Sequence, residues 1–160
     1  MSKISVNFID IVEVLVTRLG LSFSRVDENE MSVTLVGDNA EYCMSVVFMP
    51  DYDMMRFSCD MNLVVPPEQY RSIVDAFAKA NERVLVGCFG FVSNSRRIVY
   101  TITIPFMSSF VIDEAVVEAI IEVAVCESDK LYYYFYMAIE NIELPDFPIG
   151  ALFLESAGEA

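Results

Sequence analysis

The chain has 160 residues, 55% of them apolar, and carries a formal charge of −14 with no histidine and four cysteines. Its length fits one domain with a core of its own, and so acidic a surface repels phosphate backbones and anionic membranes, which excludes nucleic acid as a partner. Without histidine the usual catalytic triads and zinc sites are out of reach, and Cys43, Cys59, Cys88 and Cys126 stand too far apart for a CxxC pair.

The first apolar segment contains Asp10 and Glu13, unlike a signal peptide, and no segment reaches the roughly 20 apolar residues of a membrane span. A cytoplasmic protein is expected. Phe8, Ile11, Val12, Leu15 and Leu19 recur at helical spacing, with Asn7 as cap and Gly20 as stop. The period then changes to two. Leu21 and Phe23, Met31 to Leu35, Tyr42 to Phe48 and Met55 to Val65 predict four strands, with turns at Asp27-Glu28-Asn29, Gly37-Asp38-Asn39 and Pro50-Asp51.

Pro66 and Pro67 open a second helix, since proline suits a first turn that needs no amide. Tyr70, Ile73, Val74 and Phe77 form its apolar stripe. Strands follow at Val84 to Phe91 and Arg97 to Ile104, and Gly87 and Gly90 mark a bulge or a close backbone approach in the first. Asp113 caps a last helix running to about Glu140. The order α-β-β-β-β-α-β-β-α predicts one α+β domain over 1–141, with helices on one face of an antiparallel sheet. The tail 142–160, with Pro145, Pro148 and Gly150, either docks on a sheet edge or is left disordered.

The last helix carries the most information. Glu114, Glu118 and Glu122 repeat every four residues, either as its wet face or as a docking stripe for basic residues. Asp51 and Asp53 lie in a Pro-Asp turn and supply too few oxygens for calcium. No catalytic, metal or cofactor residue is assigned. Val116 to Val125 leaves only a narrow polar strip, and Leu131 to Met137 puts aromatics all round the helix. One side packs on the sheet; the side bearing Tyr132, Tyr133 and Tyr136 is expected to meet a second subunit, the tail or a client.

The segment Met61-Asn62-Leu63-Val64-Val65-Pro66-Pro67-Glu68 leads into a helix ending near Asn81. Gly87-Cys88-Phe89, then Ile98-Val99-Tyr100-Thr101-Ile102, then a long acidic helix with aromatics in its second half complete the pattern. Over about residues 5–141 this resembles the YbjN family of bacterial sensory-transduction regulators, whose fold is like that of type III secretion chaperones. The resemblance implies a homodimer with Tyr70, Ile73, Val74 and Phe77 at its seam, and grooves that hold an extended protein or peptide. It brings no active site. The expected function is a non-catalytic, chaperone-like regulatory module, with a partner that carries basic segments. A sensor for a small apolar or cationic ligand is the alternative. A carboxylate-dependent hydrolase would need two of the acids named above to converge in one cleft.

Overall fold

The computed structural model describes residues 7–105 and 113–142; the expectations for the tail beyond residue 142 lie outside them. Helix α1 (Phe8–Arg18) begins where the Asn7 side chain accepts from the Ile9 N–H at 3.0 Å, and it is left at Gly20, whose φ is +69°. Ile9, Val12, Leu15 and Val16 turn to the core. On the wet side Arg25 reaches back to Asp10 and Glu13, 2.7 Å from each.

Strands β1 (Phe23–Arg25), β2 (Glu30–Val36), β3 (Glu41–Met49) and β4 (Met54–Val64) form the antiparallel meander that the alternation predicts. Asp51 and Asp53 sit exposed in the turn between β3 and β4. Helix α2 (Tyr70–Asn81) follows, then β5 (Cys88–Val92), β6 (Arg97–Pro105) and α3 (Glu114–Ile139). Asp113 caps α3 by accepting from the Val116 N–H at 3.0 Å. The sheet order is β1-β2-β3-β4-β6-β5, with every neighbouring pair antiparallel.

Period-two alternation sorts the two faces of this sheet. Met31, Val33, Tyr42, Met44, Phe57, Cys59, Ile98 and Tyr100 are buried on one face. The other carries a row of hydroxyls paired strand to strand through Ser24, Ser32, Ser45, Ser58 and Thr101. All three α-helices of the described residues cover the apolar face: α1 over β2 and β3, α3 over β4 and β6, and α2 over β5. Helix α3 therefore lies in the middle of the layer, in contact with both others.

The strand expected from Val84 starts only at Cys88. Gly87 has φ +76°, and a Cβ there would come within 2.7 Å of the Thr101 carbonyl. Tyr100 Oη donates to the Val86 carbonyl. Residues 84–87 are thus pinned as a loop. No such approach exists at Gly90, where a Cβ would meet nothing within 4 Å.

At the outer edge of β5, Asn81 acts as a substitute strand. Its Nδ2 donates to the Phe89 carbonyl at 2.9 Å and its Oδ1 accepts from the Phe89 N–H at 2.7 Å.

Phe77 joins α2 to the rest of the core. It stacks on Phe91 at 6.1 Å and meets Phe135 edge-on at 5.3 Å, with 8% of its surface exposed. Truncating a buried phenylalanine removes contacts and leaves a cavity, so Phe77→Ala should cost about 3–5 kcal/mol in urea unfolding. Val74→Ala, on the exposed side of the same helix, should stay within about 0.5 kcal/mol.

A groove beside the long helix

Val117, Ile121, Ala124, Leu131 and Phe135 form the stripe of α3 that is buried. Around its middle the helix is tied to the β2–β3 turn. The Asp129 carboxylate accepts from the N–H groups of Asp38 at 2.8 Å and Asn39 at 3.2 Å, and from Tyr42 Oη at 2.5 Å. Asn39 Nδ2 also donates to the Asp129 carbonyl at 2.9 Å. The turn comes this close because residue 37 is glycine: a Cβ there would lie 2.4 Å from Asp129 Oδ1 and 2.5 Å from the Tyr42 ring. Burial, and then the bond to Asp129, push the Tyr42 pKa up, so the phenol stays a neutral donor.

Next to this tie an open groove of about 680 Å³ runs between the end of α1, β2 and α3. Leu19, Leu21, Leu35, Val36, Ile121 and Val125 wall it, and Asp38, Glu122, Asp129 and Lys130 stand at its margins. Leu19, Leu21 and Leu35 follow the period of their own segments and Ile121 and Val125 lie within α3, so no single period singles out a groove whose walls come from three elements. The signal available for them was the width of the apolar band on α1 and α3, which exceeds what one sheet face can cover.

The acidic stripe divides. Arg18, at the end of α1, lies 2.5 Å from Glu114 Oε2, a charge contact outside hydrogen-bond geometry, and 3.7 Å from Glu118 Oε2. Those two acids therefore hold helix to helix within the chain. Glu122 is exposed on the rim of the groove. Asp51 and Asp53 take no part in the groove.

The seven residues expected at an interface also divide. Ile73 and Phe77 point into the chain's own core, so the surface of α2 available to a partner is Tyr70 and Val74, 53% and 40% exposed. Tyr132 is half-buried against Tyr42, with ring centroids 6.4 Å apart. Tyr133 and Tyr136 are exposed on the outside of α3.

With this geometry in place, residues 9–136 match the YbjN family model, described as "Putative bacterial sensory transduction regulator". A chain in the crystal structure of the ExsC–ExsE complex has a similar fold, with a TM-score of 0.59 at 14% identity over 82% of this chain and 96% of that one. The crystal structure of YbjN from E. coli is similar with a TM-score of 0.55 at 11% identity, over 79% of this chain and 92% of that one. No curated protein matches the sequence significantly. The fold is thus the α+β fold of these neighbours. Among the described residues no helix is long and apolar enough to cross a membrane.

Two outcomes test the tie. Asp129→Ala, which strips several donors of one charged acceptor, should destabilise by about 1.5–3 kcal/mol. Gly37→Ala should cost about 1–3 kcal/mol, and less in the Asp129→Ala background, where part of its clash is gone; urea unfolding of the double-mutant cycle measures both. Burial also raises the pKa of Tyr42, Tyr100 and Tyr134 above the ordinary 10.0. A raised folded-state value favours the neutral phenol, so this stability is complete below pH about 10 and falls as the unfolded phenols ionise above it. Tyrosinate absorbance should show Tyr42 and Tyr100, two of the eight tyrosines, titrating only as the protein unfolds, and Tyr134 titrating above the ordinary range.

Proposed function

Because this chain belongs to the YbjN family, we propose that it is a non-catalytic, chaperone-like regulatory module that holds a segment of another polypeptide in the groove between α1 and α3. The observation that carries the reading is the groove itself. It is an open trough with leucine, isoleucine and valine walls, the carboxylates of Asp38 and Glu122 on its rim, and Lys130 beside them paired with Glu127. An open trough suits an extended chain, whereas small molecules are usually bound in clefts that enclose most of their surface. Its chemistry selects apolar side chains flanked by lysine or arginine. The charge of −14 speeds the encounter of such a segment with the protein.

The fold neighbour in the ExsC–ExsE complex is a protein seen with a protein partner, and the same kind of association is proposed here. The working form is a homodimer, and Tyr70, Val74, Tyr133 and Tyr136 are further exposed contacts for either partner.

Affinity capture with the full chain, compared across surface variants, tests the reading. One polypeptide should be retained by the wild type and by Asp51→Ala, in the turn that takes no part in the groove. Val125→Glu, which puts a charge on the apolar wall, should lose it by at least about tenfold, or 1.4 kcal/mol. Glu122→Lys should weaken binding and flatten its dependence on salt. Equal capture by Val125→Glu and wild type would remove the groove from consideration.

A further inference from the structure

On the flank of α3 away from α1 there is a second hollow, of about 230 Å³, lined by Val86, Ile102, Val116, Ala119, Ile120 and Val123. Helix α2 covers that flank farther along, where Phe77 meets Phe135, and contributes nothing to the lining. Beside the hollow stands Leu85, 99% exposed. A single exposed leucine needs no explanation. This one is held out by its surroundings. Tyr100 Oη fixes the carbonyl of Val86, and Gly87 is pressed against the backbone of β6, so the loop cannot withdraw its side chain into the protein. A rigid apolar knob lies next to an apolar hole.

We infer that a second copy of this chain occupies the hollow: Leu85 of each copy seats in the hollow of the other, forming a twofold dimer. A knob and a hole side by side on one surface are what a self-complementary contact requires. Charge identifies the occupant. Two chains of −14 repel wherever their carboxylates meet, and the lining of this hollow contains none. The acids of α3 nearest the hollow are directed elsewhere or neutralised: Glu114 and Glu118 towards Arg18, Glu122 towards the α1 groove, and Glu127, four residues beyond Val123, paired with Lys130 at 3.3 Å. A basic client gains nothing at an acid-free hollow; a second acidic chain avoids its strongest repulsion there. The loop is already ordered, so docking spends little conformational entropy on it.

This places the dimer seam of the proposed function, and it is tested separately from the groove. Sedimentation velocity of the full chain through the micromolar range should show a dimer. Leu85→Glu and Ala119→Lys, both at exposed positions, should each keep the wild-type circular dichroism and each weaken the dimer by at least about a hundredfold. Leu85→Ser, which adds no charge, should shift the equilibrium the same way. An equimolar mixture of the two charged variants should restore a dimer, because one contact then pairs the introduced carboxylate with the introduced ammonium and the other is native. A monomeric wild type, single variants that remain dimers, or a mixture that stays monomeric would each overturn the inference. Val125→Glu should stay dimeric, and Leu85→Glu should still capture the polypeptide of the groove. Loss of either reading therefore leaves the other measurable.

Discussion

A helix that is apolar nearly all the way round has little in its pattern to say which side should face a sheet. Helix α3 is such a helix, and its rotation is settled by the polar tie at Asp129. The carboxylate meets two backbone amides and the Tyr42 hydroxyl only in one orientation. A turn of one residue, about 100°, would carry it away from all three donors. The steric gap at Gly37 is the matching part on the sheet side, and the contacts of Arg18 with Glu114 and Glu118 repeat the constraint near the first turn. Once α3 is set this way its two flanks acquire different characters. One faces α1 with carboxylates at the margin; the other is lined by apolar atoms.

The aromatic cluster around Phe77 supplies the complementary constraint at the other end. Phe77, Phe89, Phe91 and Phe135 interlock through ring contacts between 5.1 and 6.1 Å, and they seat α2 beside the second half of α3. Helix α1 sits at the first half, through Arg18. Two short helices thus cover parts of the two flanks of one long one, and the uncovered lengths are where the apolar excess of the composition is displayed.

Elements with a clear period are legible in the sequence. Met55, Phe57, Cys59, Met61 and Leu63 alternate with polar neighbours, and they lie on the buried face as alternation requires. Surface positions on helices were harder to read. A stripe such as Tyr70, Ile73, Val74 and Phe77 states that one side of α2 is apolar; it does not state how far round the buried zone extends, and the boundary falls within the stripe. The spacing of Glu114 and Glu118 leaves both a wet face and a docking stripe open because their partner, Arg18, lies about a hundred residues earlier in the chain, and only tertiary packing brings it close. Leu85 read as part of a strand because the positive φ of Gly87 and the reach of Tyr100 are long-range facts with no local period. The groove was anticipated only as a surplus of apolar residues, since its walls come from three elements that sequence alone does not assemble.

The side chain of Asn81 has a further consequence. A sheet that ends in a strand of β-branched and aromatic residues invites any passing extended segment to add to it, and a protein that displays apolar grooves collects such segments. By engaging both backbone groups of Phe89, Asn81 closes that register of the β5 edge to strand addition. An extended segment that approaches here therefore finds the backbone groups of Phe89 already paired, and what stays open to it at that register is side-chain surface.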